Sequence, residues 1–257
     1  MKEINILLVG DIVGQSGMST MFLSLSSLVK KWKADFVVVN GENAADGYGL
    51  TDANYYDLKK YGADVITSGN HIWQQQEIFP LLDSKDDLLR PYNYPKGAPG
   101  HGYVTVEKNG VVYSVVNLQG RVEMHNTDCP FVNGLELCKK LAKVSDFVIV
   151  DCHAERSEEK EALAFYLDGY VNIFVGTHTH VQTMDEKVLP KGCAYLTDLG
   201  HTGSQNGVIG SDAENSIKRQ LTGIPFKTVI GEEDCEIKGL IVKLDKDTKK
   251  VISLERI

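Results

Sequence analysis

Short apolar runs, each closed by a cluster of polar residues, recur along this chain. Ile4 to Val9 ends in Gly10-Asp11, Phe36 to Val39 in Asn40-Gly41-Glu42-Asn43, and Asp64 to Thr67 in Ser68-Gly69-Asn70-His71. Asp146 to Val150 ends in Asp151-Cys152-His153, and Val171 to Val175 in Gly176-Thr177-His178-Thr179-His180. Runs of this length, rich in Val, Ile and Phe, predict strands buried on both faces. Segments of helical spacing separate them. Met18, Phe22, Leu25 and Leu28 recur at helical intervals, with Lys30, Lys31 and Lys33 near the end. Thr51 is placed as the N-cap of a helix reaching Lys60. Trp73 to Phe79 reads as helical, with Pro80 marking a break or kink. Phe131 to Val144 and a helix from Ser157 to Asp168, capped by Ser157, complete the set. This alternation predicts a parallel sheet with polar residues collected at one edge.

The remaining segments add antiparallel strands. Pro91, Pro95 and Pro99 mark an irregular connection. Tyr103 to Val106 and Val111 to Val116 then flank Lys108-Asn109-Gly110, a hairpin signal. Cys193 to Leu196 ends in Thr197-Asp198-Leu199-Gly200-His201, and the last hairpin joins Ile237 to Leu244 with Val251 to Glu255. The 257 residues show no linker, repeat or low-complexity segment, so a single α/β domain over 1–257 is expected.

Composition narrows the partners. A net charge of −8 argues against general affinity for nucleic acid or anionic membrane, both of which select a basic surface. No apolar stretch reaches ~18 residues, and Met1 to Asn5 leads straight into a strand, so a soluble cytoplasmic chain is expected. The five cysteines are scattered without a Cys-x-x-Cys pair and read as reduced thiols, Cys152 as a core residue. The sequence leaves homo-oligomer formation open.

Five strand ends each carry a candidate metal ligand: Asp11, Glu42 with Asn43, Asn70 with His71, His153, and His178 with His180. Residues i and i+2 of an extended segment share a side, so His178 and His180 face one metal-sized space. A His-x-His pair alone also fits a solvated or hydrogen-bonded pair. Ligand sites in open sheets of this kind lie beyond the carboxyl ends of the strands, which makes all five ends converge. Gly10, Gly14 and Gly17 match neither the dinucleotide fingerprint nor the phosphate loop.

In order and spacing, these motifs resemble those of the calcineurin-like metallophosphoesterases. Asn40-Gly41-Glu42-Asn43-Ala44-Ala45, Asn117-Leu118-Gln119-Gly120-Arg121 and Gly176 to Gln182 are most similar to the bacterial YmdB-type phosphodiesterases. The resemblance implies a four-layer α/β/β/α sandwich of two mixed sheets, a dinuclear metal centre and hydrolysis of phosphodiesters, including 2′,3′-cyclic nucleotides. Two departures stand out. The superfamily's usual Asp-x-His is Asp11-Ile12-Val13 here, and Glu42 stands where a bridging Asp is usual. Asn43 takes the place of the missing imidazole. One ion is thereby assigned to Asp11, Glu42, Asn43 and His180, and the other to Glu42, Asn70, His153 and His178. Oxygen and imidazole donors without thiolate favour Fe, Mn or Zn.

By the same resemblance His71 lies near the phosphate and protonates the leaving alkoxide. Arg121 meets either the substrate or solvent. His201 is either a brace behind the ligands or a hydrogen-bonded structural residue, His101 and His125 are solvated, and Trp73 is packing. Three alternatives stay open: a phosphomonoesterase or RNA nuclease with the same metals, an amidohydrolase barrel, and a metal- and nucleotide-binding regulatory protein without turnover.

Overall fold

Alternate residues of the first strand, β1 (Glu3–Val9), feed two different cores: Ile4, Ile6 and Leu8 enter one, Leu7 and Val9 the other. That period of two decides the layering. The computed structural model describes residues 3–257. After β1 come β2 (Asp11–Ile12), α1 (Gly14–Trp32), β3 (Phe36–Asn40), α2 (Asp52–Tyr61) and β4 (Val65–Thr67). Two short 3₁₀ turns, Asn70–Gln74 and Gln76–Ile78, lead into α3 (Phe79–Ser84). The middle holds β5 (Tyr103–Lys108), β6 (Val111–Gln119), α4 (Pro130–Leu141), β7 (Phe147–His153), α5 (Ser157–Leu167) and β8 (Ile173–Thr177). The last part holds β9 (Lys187–Val188), β10 (Ala194–Leu196), β11 (His201–Ser204), α6 (Ala213–Thr222), β12 (Cys235–Glu236), β13 (Gly239–Asp245) and β14 (Val251–Arg256).

Two mixed sheets face each other, ordered β14-β13-β1-β3-β4 and β5-β6-β7-β8-β10-β9. Strands β1, β3 and β4 are parallel, as are β6, β7, β8 and β10. Between the sheets Ile6, Val38, Val115, Ile149 and Val175 share one core, and the rings of Phe36 and Tyr113 stack across it at 4.2 Å. Met21 and Leu25 of α1 cover the outer face of the first sheet, and Leu137 and Leu163 of α4 and α5 that of the second. The result is the four-layer α/β/β/α sandwich. Cys152 points into the outer core of the second sheet, as its alternation with His153 requires. Among the described residues no helix is long and apolar enough to cross a membrane.

Local signals hold in several places. Thr51 closes a capping box with Asn54. Asn109 and Gly110, at φ 54° and 70°, make the turn between β5 and β6. Elsewhere the structure corrects the pattern. Residues 70–78 wind as 3₁₀ turns instead of one helix, and Pro80 opens α3, where its missing N–H has no partner to lose. Ser157 makes no cap: Arg156 holds that position without a side-chain bond. Phe22 is exposed, and Met21 fills the core in its place. A small sheet, β12-β11-β2, runs beneath the site and pairs Asp11 with His201.

Candidate metal centre

Six of the seven proposed donors, Asp11, Glu42, Asn43, His153, His178 and His180, meet where the two sheets present their carboxyl ends, and Asn70 opens the turn that follows β4. Asp11, Glu42 and His153 are fully buried and form the floor. His153 Nε2 lies 3.0 Å from His178 Nδ1 and 3.3 Å from Glu42 Oε1. His180 Nε2 lies 2.9 Å from Asn43 Nδ2 and 3.9 Å from Asp11 Oδ1. The two histidines of the Thr-His-Thr-His stretch therefore face different partners. Gly69 makes the floor fit: a Cβ there would stand 2.1 Å from the His153 ring.

Each of these imidazoles has its other nitrogen occupied. His153 Nδ1 donates to Thr177 Oγ1 at 3.0 Å, and Thr177 donates on to Asp151 at 2.8 Å. His178 Nε2 lies 3.2 Å from the Glu155 carboxylate, and His180 Nδ1 donates to the Ile209 carbonyl at 2.8 Å. At His153 and His180 the hydrogen bond at the far nitrogen fixes the tautomer and leaves the near lone pair free, the usual arrangement of a metal-bound histidine, and at His178 the nearby carboxylate favours the hydrogen on Nε2. This leaves Nε2 of His153, Nδ1 of His178 and Nε2 of His180 facing inward.

The electrostatics favour a cation. Burial pushes the carboxyls of Asp11 and Glu42 up to about 7, with His153 and His71 respectively opposing the shift. Burial, reinforced by His153 and His180, drives His178 down to about 2, and burial also lowers His153 and His180. Neutral imidazoles and carboxylates short of charge compensation are one donor set lacking positive charge. Glu42 Oε2 and Asn70 Oδ1 are buried without a hydrogen-bond partner. Among the described residues no three His, Cys, Asp or Glu side chains close into a finished metal cage; the donors meet in pairs, and two of the seven are amides. The orphaned oxygens and the oxygen–imidazole set fit divalent ions.

His71 stands at the rim. Its backbone N–H donates to Glu42 Oε1 at 2.6 Å, and its Nδ1 lies 2.8 Å from Asn43 Oδ1. Asn43 turns Nδ2 toward Asp11 and His180. Rotating that amide by 180° presents Oδ1 to the donors and Nδ2 to His71 without changing its shape. Tyr48 meets the His71 ring edge-on at 5.0 Å.

Arg121 is exposed. It lines a groove of about 910 Å³ with Phe131, Glu155, Arg156 and Thr179, and its backbone N–H donates to Glu159. His201 is buried, with Nδ1 on the His180 carbonyl and Nε2 on that of Ser204, so it braces the backbone of His180. His101 is exposed beside Asp86, and His125 is exposed on its loop. Trp73 packs edge-on against Phe79 and Tyr94. Sequence reasoning passed over Asp151, Thr177 and Glu155. Alternation held a signal for two of them, since Asp151, His153 and Glu155 are spaced by two.

A profile described as YmdB-like protein matches residues 7–257. The 2′,3′-cyclic-nucleotide 2′-phosphodiesterase of Bacillus subtilis is 44% identical over 252 residues, which cover 98% of this chain and 96% of that protein. A crystal structure of a novel phosphatase from Mycoplasma pneumoniae superposes with a TM-score of 0.93 at 36% identity, covering 100% of this chain and 93% of that one. A hypothetical protein from Thermus thermophilus gives 0.91 at 35% identity, covering 99% and 98%. NAD nucleotidase of Haemophilus influenzae shares the fold alone, with a TM-score of 0.61 at 13% identity over 99% of this chain and 55% of that one. Matched along almost its whole length, the chain belongs to the YmdB-like family.

Proposed function

We propose that this chain is a dinuclear-metal phosphodiesterase that hydrolyses 2′,3′-cyclic nucleotides, the substrate class named for its Bacillus relative. One observation carries the reading. Three imidazoles, each with a polar partner at its far nitrogen, gather with two buried carboxylates, and the buried oxygens Glu42 Oε2 and Asn70 Oδ1 have no hydrogen-bond partner. Asp11, Glu42, Asn43 and His180 would hold one ion, and Glu42, Asn70, His153 and His178 the other. The ions are drawn from Fe, Mn and Zn. When bound, such ions stabilise charge on the phosphoryl oxygens and lower the pKa of water.

The chain's own part is orientation and hydrogen-bond donation. With Asn43 Oδ1 turned to the donors, its Nδ2 donates to His71 Nδ1, so the neutral ring carries its hydrogen on Nε2. Burial lowers the His71 pKa, so the ring rests neutral and serves as a hydrogen-bond donor to the leaving oxygen. Hydrolysis forms a bond from water oxygen to phosphorus and breaks the bond to one ribose oxygen. The His71 Nε2–H donates a hydrogen bond to that oxygen as charge develops on it, and the proton the oxygen finally takes comes from solvent, which reaches the ring at 27% exposure.

Protein stripped of metal and reloaded with Mn²⁺ tests this. It is expected to bind two ions and to open 2′,3′-cyclic AMP. His71→Ala keeps both ions and loses about 10²–10⁴ in kcat. Two bound ions without hydrolysis overturn the reading, and a fully active His71→Ala enzyme removes the role of that residue.

A further inference from the structure

Lys160 and Asp198 form an ion pair at 2.7 Å in which both side chains are completely buried. Neither is among the proposed donors. Lys160 rises from the first turn of α5 behind the histidine loop, and Gly176 leaves room for its stem: a Cβ there would stand 2.5 Å from Lys160 Cδ. Its ammonium also donates to the Thr177 carbonyl at 2.9 Å. Asp198 accepts from the Thr179 N–H at 3.2 Å and from the Gly200 N–H at 2.9 Å.

The two residues thus grip the backbone immediately before and after His178. That grip falls on a conformation that side chains with a Cβ disfavour: φ is 99° at His178 and 64° at His180. Such a backbone persists only where its surroundings over-determine it. The third restraint is Asp11, whose Oδ2 accepts the His178 N–H at 3.1 Å. We infer that the Lys160–Asp198 pair is a positioning device: it holds His178 in its left-handed conformation and thereby sets metal affinity at the position His178 shares with His153. A buried ion pair contributes little to net stability compared with a well-packed apolar pair, which fits a role in geometry.

The inference rests on the metal-centre reading. Its test uses Lys160→Met and the double variant Lys160→Met/Asp198→Asn, which removes both charges, keeps the stem volume and leaves no unpaired buried charge. Calorimetric titration of metal-stripped protein with Mn²⁺ is expected to show one ion bound as in the wild type. The other ion binds at least tenfold more weakly, in the range found for residues that orient metal ligands. In the same variants the Thr179 and Gly200 amides exchange with solvent faster. A residue that only stabilises the fold lowers Tm and leaves the two affinities in their wild-type ratio. That result, or a double variant with both wild-type affinities, overturns the inference. If the wild type binds no Mn²⁺, the metal reading fails by itself, and unchanged Thr179 and Gly200 exchange then overturns the positioning role.

Discussion

His153 reaches Asp151 only through Thr177, whose hydroxyl takes the His153 Nδ1 hydrogen at 3.0 Å and gives its own to the carboxylate at 2.8 Å. Asp151 is buried and also accepts from Asn40 at 3.0 Å and from Thr67, so it collects three donors and holds the relay still. Burial raises its pKa, and the hydrogen bonds and His153 oppose that rise. Thr177→Val preserves the shape and removes the relay. Metal affinity is expected to fall about 10–100-fold, with Thr177→Ser recovering most of it. Calorimetric Mn²⁺ titration of the two variants checks this, and wild-type affinity in Thr177→Val would sink it.

Asn43 touches both the donors and His71, which makes its amide a test of the His71 hydrogen bond. In Asn43→Asp a carboxylate still serves as a ligand, yet it cannot donate to His71 Nδ1 and it favours the charged ring. Both ions are expected to stay bound while kcat drops about 10²-fold. The His71 limb of the pH–rate profile moves to higher pH. An unchanged profile would detach Asn43 from His71.

Metal uptake depends on pH through the floor carboxyls. Asp11 and Glu42 lie near 7 in the metal-free site, so below that pH an incoming cation must displace two protons. Above it both groups are already ionised. His178 is neutral throughout this range and adds no proton. Apparent affinity should be level above pH 7 and fall by up to about 100-fold per unit well below it. Proton release in buffers of different ionisation enthalpy measures the same effect: close to two protons near pH 5.5 and close to none at pH 8.5.

Gly69→Ala sets a methyl 2.1 Å from the His153 ring, in a floor with no slack. The ring must move or the 69–70 backbone must shift. Overpacking of this kind costs about 1–3 kcal/mol. The variant is expected to melt earlier and to lose most of the rise in Tm that added Mn²⁺ gives the wild type. An unchanged metal-induced rise would show that His153 tolerates displacement.

A parallel α/β arrangement was legible in the linear pattern, but its division into two facing sheets was not and followed only from the family resemblance. In the structure Ile4 and Phe36 enter one core and Leu7 and Val37 another, because successive side chains leave a strand on opposite faces. Asp11, Glu42, His153 and His178 were legible too, since a polar residue closing a buried strand needs a partner. The 3₁₀ winding of residues 70–78 was not, because a helical count of apolar residues cannot separate 3₁₀ from α over so short a span. Nor was α6, which has no buried residue.

By itself, then, the sequence determined which residues are available as donors and that strand ends gather them, through periodicity and the fixed length of a residue. The tertiary structure decided what no local pattern carries. It divided His178 from His180, chose the inward nitrogen of each ring, set the Asn43 amide between the donors and His71, and placed Lys160 behind the loop. Those choices depend on contacts between residues far apart in the chain, 167 positions for Asp11 and the His178 N–H, and such contacts exist only once both sheets have packed.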